Sequence, residues 1–189
     1  MRSINNDNAF TGLEAAIVLI AFVVVAAVFS YVVLGAGFFT TQKSQEVVHT
    51  GVQQASSTLE IVGNVYGTGT AGETITAVNF TTALAPGGTP VDFDKVVLTY
   101  SNATQLQTLT QAGRGTAPGT GQWSIAAVQN QVTSDSVLER GEQFDIVAKP
   151  TNGITKNDYF TIEVKPAIGA ALGISRTAPA SIQKINIIY

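Results

Sequence analysis

Hydrophobic and polar positions divide this chain into three zones. The first nine residues, MRSINNDNA, are mostly polar. From Ala15 to Phe39 (AAIVLIAFVVVAAVFSYVVLGAGFF) no charged side chain occurs, and only Ser30 and the Tyr31 hydroxyl interrupt the run. Its 25 residues, at about 1.5 Å each, predict a helix of roughly 37 Å, enough to cross a hydrocarbon core of about 30 Å. The many Val and Ile side chains suit a strand, but a run of this length argues for a helix. A lone helix also satisfies its own backbone in lipid, which a lone strand cannot do. Because the run is apolar all round, lipid or protein must enclose it.

Beyond Phe39 the chain becomes amphipathic. Val47, Val48, Val52, Ala55 and Leu59 fall on a narrow helical stripe, so one helix is expected over residues 10–59, turning the stripe toward a following domain. From Glu60 the period changes to two. EIVGNVYG, ETITAVNFT, KVVLTYS, QWSIAAVQ, EQFDIVAK, DYFTIEVK and SIQKINIIY read as strands, punctuated by GTGTAG, APGGTP, GRGTAPGTG, TNG and PAIGAALG. The predicted class is α+β: a long hydrophobic N-terminal helix followed, over residues 60–189, by an antiparallel β-sandwich head of immunoglobulin-like type. The last run, INIIY, needs an internal sheet position or a subunit contact to guard it against edge pairing.

Composition removes several functions. With no cysteine there is no disulfide, zinc–thiolate site or thiol catalysis. The ten Lys and Arg are scattered singly without interleaved aromatics, against 13 Asp and Glu, so nucleic acid is not an expected partner. The single histidine, His49, has no nucleophile or second ligand near it in sequence, and no enzyme activity or cofactor is expected. GRGTAPGTG lacks the GK[ST] of a phosphate loop and reads as a turn. Asp92 and Asp94 share a face if their segment is extended. Together with the Glu139/Glu142 pair they read as solvated turn carboxylates rather than a calcium loop. Asn79-Phe80-Thr81 and Asn102-Ala103-Thr104 are N-glycosylation sequons.

The segment in front of the apolar run sharpens the reading. In FTGLE, Thr11 as helix N-cap and Glu14 three residues on would form a capping box. Counted from a cut between Ala9 and Phe10, Glu14 is residue five of the shortened chain. That arrangement resembles the class III precursors of type IV pilins, with a short polar leader, an aromatic first residue and a glutamate at the fifth position. Ala9 departs from the glycine usual at the cut, though both residues are small. The longer segment FTGLEAAIVLIAFVVVAAVFSYVVLGAGFFTTQKSQ resembles the N-terminus of archaellins, the archaeal flagellins, and LERGEQFDIVAKP and INIIY are similar to parts of archaellin heads.

The resemblance implies a leader over residues 1–9 and a filament-core helix over 10–59 beneath the β head. It implies removal of that leader by a prepilin-type signal peptidase, with membrane lipid around the helix before assembly. Afterwards the same helix would bury itself against copies in a homo-oligomeric extracellular filament, the archaellum, rotated by a membrane motor for swimming and usable for adhesion. Glu14 would meet the terminal amine of a neighbouring subunit, or merely cap its own helix. Two alternatives remain at this point: a non-rotating adhesive pilus subunit, and a membrane-anchored β-sandwich, held by an uncleaved signal anchor, that binds a ligand or a neighbouring cell-surface protein.

Overall fold

A computed structural model describes residues 7–189, with side chains from Gly12 onward apart from Ser56. The chain divides at Thr50–Gly51 into two compact units. The described part of the first is one helix, α1 (Asp7–Ser56), whose last turns belong to the second unit and whose 50 residues extend for about 75 Å at 1.5 Å each. It starts earlier than the capping box predicts: Thr11 lies inside the helix, not at its N-cap. Leu59, expected as the last residue of the helical stripe, instead opens the first strand and is buried.

The second unit is the β head. Its strands are β1 (Leu59–Gly69), β2 (Ile75–Leu84), β3 (Val91–Asp92), β4 (Val97–Asn102), β5 (Leu106–Arg114), β6 (Gln122–Gln129), β7 (Val137–Leu138), β8 (Gln143–Lys149), β9 (Tyr159–Lys165), β10 (Leu172–Thr177) and β11 (Ile185–Ile188). Nine of them follow in the order β10-β9-β4-β5-β6-β8-β2-β1-β11, while β3 and β7 form a short separate ladder. Alternation makes the layers: β8 buries Phe144, Ile146 and Ala148, and β9 buries Phe160, Ile162 and Val164.

Strand β5 is the corner of this arrangement. Its first half, Leu106–Leu109, pairs with β4, and its second half, from Thr110, pairs with β6. The strand therefore passes from one layer to the other, as strands do at the corners of sandwiches. Its pairing with β6 is parallel, the one departure from the expected antiparallel pattern in the nine-strand series. Parallel neighbours ordinarily need a long crossover. Here GRGTAPGTG folds the chain straight back, with Gly115 and Gly121 at φ +69° and +78°, a region that favours glycine. The run is a turn, as its sequence predicts.

One core fills the space between the layers. Phe93, on a 3₁₀ turn over Phe93–Lys95, meets Phe144 edge-on at 5.0 Å and Trp123 at 6.3 Å between ring centres. Tyr100 stacks near Phe160 at 6.0 Å. Ser57, the residue after the helix, is buried in the head, where its carbonyl accepts the Ala170 amide at 3.1 Å. A Cβ on Gly169 would lie 2.0 Å from that carbonyl, so only glycine fits there. The closing strand β11 lies at an edge rather than inside the sheet; Ile188 is buried, while Ile185 and Ile187 face outward.

Candidate assembly surface

The helix carries a long exposed apolar surface. From Leu13 to Phe39 its large apolar side chains are between 53% and 79% exposed. The described helix is long and apolar enough over Gly12–Ala55 to cross a membrane. Val47, Val48 and Val52 of the predicted stripe are exposed as well.

Small residues shape this surface. Ala26, Ser30 and Gly37 line one shallow groove with Phe29, Val33 and Phe38, and a second groove runs from Glu14 along Val18, Leu19 and Phe22 to Ala26. Such notches let helices approach closely. Hydroxyls in the apolar-to-polar transition are satisfied within the helix: Thr40 donates to the Ala36 carbonyl at 2.8 Å and Thr41 to that of Gly37 at 2.9 Å. They can therefore enter an apolar environment without a lost hydrogen bond. Polar chemistry begins just after, with an exposed Lys43–Glu46 pair at 2.7 Å.

Glu14 is exposed at the N-terminal end of the second groove. The helix runs through Ala9 and Phe10, whose side chains, like residues 1–6, lie outside the described part. His49 is exposed on the helix. Among the described residues, no group of three or more His, Cys, Asp or Glu is placed to hold a metal ion.

The head's candidate residues prove to have structural work. Asp92 and Asp94 do not share an extended face. Asp92 caps the 3₁₀ turn, accepting the Asp94 amide at 3.1 Å, and pairs with Lys95 at 2.8 Å. The Lys95 hydrogen bond holds the Asp92 carboxyl below its ordinary value, and Lys95 is raised in return. The expectation of a solvated Glu142 is overturned, for it is 1% exposed. Its carboxylate accepts the Val132 amide at 2.5 Å and the Glu139 amide at 3.0 Å, pinning the loop between β6 and β7. Its acidic neighbours in sequence hide this role.

Both sequon asparagines are half-buried. Asn79 sits within β2, where the Thr81 hydroxyl donates to Asp145 at 2.6 Å. Asn102 ends β4; its Oδ1 accepts the Thr104 and Gln105 amides at 3.1 and 2.8 Å, and its Nδ2 donates to Asp158 at 3.0 Å. Sequence reasoning also passed over the pairing of Thr81 with Asp145, which face each other across β2 and β8.

Comparison with known proteins places this architecture. The model of the archaeal-type flagellin family matches residues 9–176. A probable flagellin 1 of Archaeoglobus fulgidus is 44% identical over 100% of this chain and 98% of its own length. A probable flagellin 2 of the same organism is 42% identical over 97% and 95%. Among solved structures, the archaeal flagellum of Methanospirillum hungatei strain JF1 superposes with a TM-score of 0.75 and 35% identity, covering 94% of this chain and 99% of that one. With a long apolar helix, a β head and matches along nearly its whole length, the chain belongs to the archaeal-type flagellin family.

Proposed function

We infer that this chain is a structural subunit of the archaellum, a homo-oligomeric extracellular filament, and not an enzyme. The observation that carries the reading is the exposed apolar helix, borne by a chain similar over 94% of its length to a solved archaeal flagellum. A surface of this kind has to be enclosed, and copies of the same helix enclose one another. Lipid tails are as apolar as such a core, so leaving the membrane brings little hydrophobic gain; packing at the small-residue notches and contacts between heads supply the bias.

Several finer steps complete the proposal. A prepilin-type signal peptidase removes residues 1–9 between Ala9 and Phe10, supported by the polar leader and by Glu14 falling at position five. The precursor waits in the membrane on its apolar helix, and membrane-bound archaellum machinery assembles and turns the filament for swimming, with adhesion as a second use. The helix from Phe10 to Ser56 makes the filament core, and the chain from Leu59 onward makes the head. Glu14 pairs with the new amine of a neighbour's Phe10, since a carboxylate at the edge of an apolar core needs a partner. Asn79 and Asn102 carry N-linked glycans. Electron microscopy of filaments sheared from cells, with mass spectrometry and N-terminal sequencing of their subunits, tests the reading. The expected subunit is this chain beginning Phe-Thr-Gly-Leu-Glu; filaments made of another protein would overturn it.

A further inference from the structure

The solvent-facing side of the adjacent strands β1, β2, β8 and β6 carries a polar groove. Asn64, Tyr66, Asn79, Thr81, Gln129 and Asp145 line it. Register builds the floor: Tyr66 stands opposite Asn79, and Thr81 opposite Asp145. Two breaks in pairing shape the walls, one between Val62 and Tyr66 with Gly63 at φ +80°, the other between Ile125 and Ala127. The groove holds about 360 Å³.

Its chemistry selects a ligand. No lysine or arginine lines it, so an anion finds no counter-charge. Asp145 Oδ1 already accepts Thr81 at 2.6 Å and Gln129 at 3.1 Å, and Oδ2 accepts Gln129 at 2.9 Å. A bare cation would have to displace these donors, whereas one more hydroxyl proton can join them, because a carboxylate offers about four acceptor positions. Asn79 Oδ1 is enclosed without any donor and closed to an incoming molecule, which leaves Asp145 as the carboxylate acceptor that the groove presents. Tyr66, 39% exposed, adds a large ring at one wall.

A neutral molecule with several hydroxyls and one apolar face meets all these conditions. We propose that the groove is a monosaccharide subsite, in which Tyr66 packs on the apolar face of a pyranose ring while Asp145 accepts from its hydroxyls. The sugar is either free in the surroundings or the first residue of a glycan attached to Asn79 itself; the recognition chemistry is shared.

Peptide mass mapping of sheared filaments separates the two sources. If Asn79 is unmodified, saturation-transfer NMR is run on filaments with methyl glucoside, methyl galactoside, methyl mannoside and N-acetylglucosamine, at concentrations around 1 mM suited to weak binding. Transfer to ring protons of at least one sugar is expected. Ala127→Trp fills the groove from an exposed position and Tyr66→Ala removes the ring; each is expected to weaken the affinity about tenfold or more, roughly 1.4 kcal/mol. If Asn79 is modified, the same two variants should speed enzymatic release of its glycan by about tenfold, because a sugar no longer held is exposed. Filament formation by either variant shows that the head has folded. No transfer from any of the four sugars, transfer unchanged in the variant filaments, or unchanged release from modified Asn79 overturns the proposal. None of these outcomes bears on whether the chain forms a filament.

Discussion

The Thr177 amide donates to the Tyr189 carbonyl across 3.2 Å, joining the end of β10 to the residue after β11. These are the two edge strands of the nine-strand series, so this bond brings the sheet close to closure. Closing a sheet removes the unpaired edges at which foreign strands add. The strand that completes it is held by Ile188, 2% exposed, whose Cδ1 lies within 2.8 Å of where a Cβ on Gly67 would stand.

Ile188→Ala should therefore destabilise the head by roughly 2–4 kcal/mol, the usual range for emptying a buried branched side chain. Denaturant unfolding of detergent-solubilised subunits reads this directly. A loss below about 1 kcal/mol would mean that β11 contributes little to the closed sheet.

The aromatic centre gives a larger effect. Phe93 is fully buried and touches both Phe144 and Trp123. Phe93→Ala is expected to cost about 3–5 kcal/mol, with a matching fall in the temperature at which filaments dissociate. Phe93→Leu, which keeps most of the volume, should retain filaments.

Glu142 predicts a local effect. Glu142→Gln keeps one acceptor oxygen but turns an N–H₂ toward an amide, leaving Val132 or Glu139 without its partner. The expected cost is about 1–3 kcal/mol, with faster hydrogen exchange confined to residues 130–139. Uniform acceleration throughout the head would contradict the role of a loop pin.

Base should weaken the head through Tyr100. Burial first, then the charge of Asp158, pushes its hydroxyl from 10.0 up to about 12. The folded state therefore keeps the proton that the unfolded chain releases above pH 10.0. Stability is fully present below that point and falls as pH rises toward about 12, by roughly 2–3 kcal/mol in all. Tyr100→Phe should flatten this part of the pH profile, measured as the urea midpoint against pH.

Assembly is tested on the helix. Val24→Lys places a charge in the middle of the apolar zone, a change worth about 2.5–3.5 kcal/mol against insertion at a membrane centre; no filaments should be seen by microscopy. Glu14→Gln tests the pairing, since it keeps the size and shape of the side chain but removes the charge. Pairing with a neighbour's amine predicts a processed, membrane-retained subunit with short or absent filaments. Normal filaments would leave Glu14 as a helix-end residue only.

What sequence could disclose depended on how local the signal was. Ala15–Phe39 was legible because composition alone forces its enclosure, and seven strands were legible from alternation. β5 and β10 were not: each buries one apolar side chain, Leu109 or Ile174, among Thr, Gln, Ser and Gly, because one turns a corner and the other forms an edge. Asp92 and Asp94 were legible as turn carboxylates, but not the cap that Asp92, at the end of β3, makes for the 3₁₀ turn over Phe93–Lys95. The groove was invisible for a different reason. Tyr66, Asn79 and Asp145 meet only through the register of strands distant in sequence.

The apolar zone of α1 has consequences for mechanics. With exposed apolar side chains on every side from Leu13 to Phe39, no single rotation of the helix about its axis is strongly favoured by burial alone. In a filament, a core of such helices resists extension through close packing yet offers little resistance to small rotations of one rod against the next. Torsional stiffness then has to come from the heads. In the proposed filament the helices would then bear tension as a cable does, and the heads would carry the torsion.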